Sequence, residues 1–223
     1  MNANDYAVVR GRESVVSTNK VLRNTYALLS MTLLFSALTA GVSMALNVPY
    51  GASLVASLAA LGMLWFVVPR TANSAAGIWV VFGVTGLLGF GLGPVLNHYL
   101  ALANGGQMVM MALGGTGVIF LGLSGYALTT RKDFSFMGGF LMVGILVAFL
   151  GGIGALIFSI PALSLAVSAM FVLLMSGLIL WETSNIIHGG ETNYILATVS
   201  LYVAIYNLFT SLLHLLGAFG GNE

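Results

Sequence analysis

Residues 136–181 read FMGGFLMVGILVAFLGGIGALIFSIPALSLAVSAMFVLLMSGLILW, with no Asp, Glu, Lys, Arg or His among them. An α-helix rises 1.5 Å per residue, so about 20 apolar residues cross the hydrocarbon core of a bilayer. The run is twice one crossing. Ser159-Ile160-Pro161 is where it divides, because proline brings no N–H and its ring collides with the preceding turn. Strands of a membrane β-barrel are about 10 residues long and alternate in polarity. Continuous apolar runs of this length therefore specify helices.

Working outward, the same reading gives seven spans: Tyr26–Leu46, Gly51–Val68, Ala75–Leu96, Met108–Leu128, Phe136–Phe158, Ala162–Trp181 and Tyr194–Leu216. Turn residues separate them at Asn47-Val48-Pro49, Pro69-Arg70, Asn97-His98, Thr129–Asp133, Ser159–Pro161 and Gly189-Gly190. The fold class is all-α integral membrane, one seven-helix domain over residues 25–218. A polar and flexible tail over residues 1–24 precedes it, and a short tail over residues 219–223 follows. The first span is too long for the core of a cleaved leader, so it reads as an uncleaved anchor.

Composition agrees. Only 6% of the 223 residues are charged and 59% are hydrophobic, whereas soluble domains carry about 25% charge. A soluble enzyme, a nucleic-acid binder and a disordered chain are excluded, and the bilayer is the solvent. With no cysteine, disulfides, iron–sulfur clusters and thiolate zinc sites are excluded too.

Position makes the few charges informative. Arg10, Arg12, Lys20 and Arg23 precede the first span, Arg70 follows the second, and Arg131 and Lys132 follow the fourth. With seven spans all seven fall on one side, which the positive-inside rule places in the cytoplasm. The N-terminus is then cytoplasmic and the C-terminus periplasmic. Trp65, Trp79 and Trp181 fall at that same interface, as an aromatic belt would.

Small residues allow close helix approach where lipid supplies no hydrophobic drive. Candidate stripes are Ala37/Gly41/Ala45, Ala52/Ala56/Ala60, Gly83/Gly86/Gly89 and Gly144/Gly151. In the seventh span Ser200, Ala204, Asn207, Ser211 and His214 recur at spacings of 4, 3, 4 and 3, one face of a helix. A polar face inside a bilayer must meet protein or water, so this span is central. Interhelical hydrogen bonding and a polar path both fit it. Glu182 is the one charged residue within or abutting a span, about 8 Å from the end of its helix. It either snorkels to the interface or turns inward toward the seventh span as a pore or pH-sensing group.

Catalytic alternatives fail on spacing. Gly122-Leu123-Ser124-Gly125 is like the serine motif of rhomboid-type proteases, but Ser124 lies about 6 Å from the cytoplasmic face and His214 about 30 Å from it. The two lysines, Lys20 and Lys132, lie outside the spans, so no retinal Schiff base can form. The pattern implies no enzyme, no metal and no cofactor.

Trp181-Glu182-Thr183-Ser184-Asn185-Ile186-Ile187-His188-Gly189-Gly190, then Asn193-Tyr194, Ser200-Leu201-Tyr202 and Tyr206-Asn207-Leu208-Phe209, resembles the signature of the Bax inhibitor-1 family, and within it the bacterial YccA branch. Thr183, Asn185, Gly189, Gly190, Asn193, Tyr194 and Tyr202 carry the resemblance. It implies six helices enclosing the seventh. It also implies one of two activities in the bacterial inner membrane. One is restraint of the membrane AAA protease FtsH, which could grip the polar tail at Asn2, Asp5, Arg10 and Arg12. The other is a pH-sensitive leak for Ca2+ or H+, gated by two carboxylates on the sixth and seventh spans. Glu182 stands at the first carboxylate position and Ala204 replaces the second. Two close carboxylates share a proton because like charges repel, and one carboxylate with a methyl group cannot.

Overall fold

A computed structural model of the chain describes residues 3–220, with side chains from residue 18 onward. The described residues form seven long helices and no strand: α1 (Ala3–Ala45), α2 (Tyr50–Thr71), α3 (Ala76–Leu100), α4 (Gly105–Thr130), α5 (Ser135–Ile157), α6 (Pro161–Ile187) and α7 (Tyr194–Gly220). Each is long and apolar enough to cross a bilayer; in α1 that part is Thr18–Ala45. The protein is a seven-helix membrane protein. The start expected at Tyr26 marks where α1 turns apolar; the helix itself begins upstream at Ala3. The side chains of the tail residues Asn2, Asp5, Arg10 and Arg12 lie outside the described residues. At the other end α7 runs to Gly220, slightly past the expected limit.

Four turns fall where expected, at Asn47–Pro49, Thr129–Asp133, Ser159–Pro161 and Gly189-Gly190. Asn47 adopts a left-handed φ of 48° before Pro49, and Ser159 one of 51° before Pro161. Pro69-Arg70 does not end its helix. The chain widens into a π-turn at Met63–Val67 and continues helical through Thr71. The wider turn accommodates Pro69, which offers no N–H to the preceding turn. The Arg70 guanidinium donates to the Phe66 carbonyl and so holds the local backbone. Asn97-His98 likewise lies inside α3, which ends at Leu100. In the α4–α5 turn Asp133 accepts the Ser135 N–H at 2.8 Å, which holds its carboxyl below the usual range and fixes the 3-10 turn that opens α5.

α3 and α7 are the inner helices: over half of each one's apolar window is buried, against a third or less in the others. α7 packs directly on α1, α3, α4 and α6. α2 lies outside α3, and α5 lies outside α6, so the enclosure of α7 is direct for four helices and indirect for two. Leu201, Tyr202, Ala204 and Leu208 of α7 join Val84 of α3 and Met175 and Ile179 of α6 in the main apolar core.

Small residues set the closest approaches. A Cβ on Gly89 would strike the Ser36 backbone and the Thr39 hydroxyl of α1, and one on Gly86 would come within 2.7 Å of Phe35. On α5, a Cβ at Gly144 would lie 2.6 Å from Leu174 of α6. The expected stripe Ala37/Gly41/Ala45 is on the wrong face: all three are exposed. The face of α1 that meets α3 carries Ser36, Ala40 and Ser43, all buried. Small hydroxyl residues pack as closely as Ala and are the better signal here. Ala56 and Ala60 are buried as expected, but Ala52 is exposed. The aromatic belt is narrower than expected. Trp65 and Trp79 are exposed on the outer surface, whereas Trp181 is half-buried with its ring against Gly138.

Candidate functional site

The motif Glu182-Thr183-Ser184 turns the last two turns of α6 into a junction, because consecutive helical residues point about 100° apart. Glu182 points at α7, where its Oε2 accepts the Ser200 hydroxyl at 2.9 Å. It is only 4% exposed, so it does not snorkel to the interface. Thr183 points toward α1 and α4. Its hydroxyl is 3.2 Å from the Tyr26 hydroxyl and 3.4 Å from that of Ser124. Ser184 faces the α4–α5 turn, accepting the Phe134 N–H at 3.0 Å and donating to the Lys132 carbonyl at 3.1 Å.

The rest of the signature is also wiring. Asn185 offers its backbone carbonyl to the N–H groups of Gly190 and Glu191 at 2.9 and 3.3 Å, closing the turn in which Gly189 takes a φ of 76°. The positive φ favours glycine at 189, and a side chain at Gly190 would force the Asn185 amide to shift. Asn193 caps α7 by accepting the Ile195 N–H at 2.9 Å, and its amide donates to Ala72 and Asn73 at 3.0 and 2.8 Å. The Tyr194 carbonyl accepts the Thr198 hydroxyl at 2.6 Å. Tyr202, 1% exposed, donates to the Thr85 carbonyl of α3 at 3.2 Å and accepts from Ser36 of α1 at 2.6 Å.

Asn193→Ala removes an N-cap and a staple to the α2–α3 turn together. A lost cap costs about 1 kcal/mol and a lost hydrogen bond about as much again. Thermal unfolding in detergent should show a lowered midpoint for Asn193→Ala and an intermediate one for Asn193→Asp, which keeps the cap but loses the amide donors.

The polar stripe of α7 divides into two groups. Ser200 joins Glu182. Ala204, fully buried one turn further on the same face, sits in the apolar core among Leu201, Ile205 and Leu208. Asn207, Ser211 and His214 belong to a separate, open-sided crevice of about 300 Å³ near the far end of α6 and α7. The stripe is thus not one continuous path: an apolar layer at Ala204 separates a lone carboxylate from the crevice. Ser124 and His214 do not meet, since Ser124 bonds to Thr183 and His214 to Ser168. Among the described residues, no group of three His, Cys, Asp or Glu side chains could hold a metal.

Sequence reading missed Ser168, whose hydroxyl lies 2.8 Å from His214 Nδ1. The residues are 46 apart on neighbouring helices, and no spacing rule couples them. The Ser168 hydroxyl also lies 3.0 Å from the Ser164 carbonyl, so it has two partners within reach.

Residues 18–221 match the family described as inhibitor of apoptosis-promoting Bax1. The chain is 55% identical over 206 residues, 92% of its length and 93% of the relative's, to the Escherichia coli K12 protein named modulator of FtsH protease YccA. The same identity and coverage hold for an inner membrane protein YccA of E. coli O6:H1. A membrane protein of Vibrio cholerae is 46% identical over the full length of both chains. With the signature residues binding helix ends, turns and core to one another and the match covering nearly the whole helical bundle, the chain belongs to the Bax1-inhibitor family.

Proposed function

We propose that the protein is an inner-membrane modulator of an FtsH-type membrane protease, with the basic ends of its helices in the cytoplasm. The observation that carries this reading is the 55% identity, over 92% of the chain, to a relative named for that role. The site chemistry supports it by what the signature residues do. Thr183, Ser184, Asn193 and Tyr202 each make structural hydrogen bonds, and Glu182 stands beside a serine with Ala204 where a second carboxylate would be. Such an arrangement suits a rigid body that docks, with its α1 end on the protease side. Removing Met1–Asn19 should change both the protein's own protease-dependent turnover and that of a second membrane substrate in cells. Unchanged turnover of both would sink the proposal.

A second reading, a Ca2+ or H+ leak, is favoured by one observation: Glu182 is a carboxylate buried within a span. Liposome flux assays separate the two. The modulator reading expects no pH-switched Ca2+ flux, in the natural protein or in Glu182→Gln. A flux that Glu182→Gln abolishes would establish the leak.

A further inference from the structure

The basic end of the bundle holds a larger cavity, about 470 Å³, between the start of the apolar part of α1, the end of α4 and the α6–α7 turn. Its chemistry is layered. Val21, Leu22, Leu128 and Ile187 supply an apolar wall, and Arg131, His188 and Glu191 supply polar groups. α4 and α6 are 26 and 27 residues long, about 40 Å each, so their ends project about 5 Å beyond a 30 Å hydrocarbon core. Arg131 and His188 each follow directly on the last residue of their helix, at the depth of lipid phosphate. Val21 and Leu22 lie about 5 Å inside the apolar part of α1, which begins at Thr18, and so sit at the hydrocarbon boundary. Leu128 is 38% exposed, so the apolar wall continues onto the outer surface.

The fold places the cation. Arg131 caps α4 with a left-handed φ of 50°, its N–H held by the Ala127 carbonyl at 2.9 Å. Its side chain is exposed, and no carboxylate among the described residues lies within 4.0 Å of it. The carboxylate of the same cavity is committed elsewhere. Glu191 Oε1 accepts the Asn193 N–H at 2.6 Å beside the start of α7, where the helix dipole favours its charge. Lys20, Arg23 and Lys132 adjoin lining residues in sequence and are exposed. Asp133, the next acid along the chain from Arg131, already accepts the Ser135 N–H. Among the described residues cations thus outnumber acids around this mouth, and its potential is positive.

We propose that this cavity binds the headgroup of an anionic membrane phospholipid. Phosphate oxygens accept from the Arg131 guanidinium in a charge-assisted pair, and the glycerol and first acyl carbons lie against Val21, Leu22 and Leu128. A soluble anion would meet the guanidinium but leave the apolar wall uncovered.

Native mass spectrometry of the purified full chain in neutral detergent tests this, using phosphatidylglycerol and phosphatidylcholine with identical acyl chains. Choline carries its own cation, which cancels the phosphate charge. Phosphatidylglycerol should be retained about tenfold better, within what one charge-assisted hydrogen bond supplies. Arg131→Gln, at an exposed side chain, should erase that preference. Glu191→Gln keeps an acceptor for the Asn193 N–H and removes a negative charge from the cavity, so it should sharpen the preference. Arg70→Gln is the control, an exposed arginine at the basic end that does not line the cavity, and it should leave the preference unchanged. Equal retention of the two lipids would overturn the proposal, as would a preference that survives Arg131→Gln or that Glu191→Gln weakens. A loss in Arg70→Gln as large as in Arg131→Gln would overturn it too, because the whole basic face would then be attracting the lipid. Displacement of the lipid by free glycerol phosphate at equal concentration would overturn the lipid as the source. The outcome is independent of any protease assay.

Discussion

Gly89→Leu is expected to eliminate the folded protein. Gly89 lies where α3 crosses α1, and even a methyl group there would strike the Ser36 backbone carbonyl and the Thr39 hydroxyl. Backbone cannot rotate away as a side chain can. Overpacking by extra methylenes costs about 1–3 kcal/mol in ordinary cores, and more where helices must separate. Separation here propagates, because Ser36 also donates to Tyr202 of α7. One substitution therefore opens the α1–α3 contact and the link from both helices to the centre. Size-exclusion profiles in detergent should show aggregate in place of a single peak for Gly89→Leu. Gly41→Leu is the control: nothing lies within 4 Å of a Cβ there, and the position is exposed, so the profile should match the natural protein.

Tyr202→Ala should be nearly as damaging, and for separable reasons. The ring is 1% exposed and stacks on Tyr206 at a centroid distance of 6.3 Å. Truncating a large aromatic core residue costs about 3–5 kcal/mol. Losing the hydroxyl also strips the Ser36 hydroxyl and the Thr85 carbonyl of their partner, a cost of about 1–3 kcal/mol. Tyr202→Phe isolates that second part. Thermal unfolding in detergent should rank natural protein above Tyr202→Phe, with Tyr202→Ala far below both. Equal midpoints for Phe and Ala would mean that the ring fills no space that matters.

Much of the fold is legible in the sequence, for a physical reason. A bilayer demands apolar helices of fixed length, so the 46-residue run over 136–181 and its proline by themselves specify two helices. Lone charges in such a chain are conspicuous, which makes Glu182 a candidate. The polar spacing from Ser200 to His214 places α7 at the centre. Partnership is not legible. Spacing shows that Ser200 and His214 share a face, yet it cannot show that one serves Glu182 and the other Ser168 across the apolar layer at Ala204. Nor can small-residue counting separate the buried Ser36/Ala40/Ser43 face of α1 from the exposed Ala37/Gly41/Ala45 face, since both repeat at helical spacing. At Pro69 the local breaker rule loses to the membrane, where a π-turn is cheaper than unpaired backbone in lipid.

The resemblance and the geometry bear on function differently. The signature residues bind helices and turns to one another, and this explains why they occur together without requiring that they conduct anything. The one titratable group in the Glu182-Thr183-Ser184 junction, Glu182, has a neutral hydroxyl partner rather than a second acid.

The most direct measurement is the lifetime of a second membrane substrate in liposomes containing a purified FtsH-type protease and ATP, with and without this protein. A modulator should lengthen that lifetime in proportion to the amount of protein added, and Glu182→Gln should act as well as the natural chain. An unchanged lifetime at every ratio would contradict the proposed function.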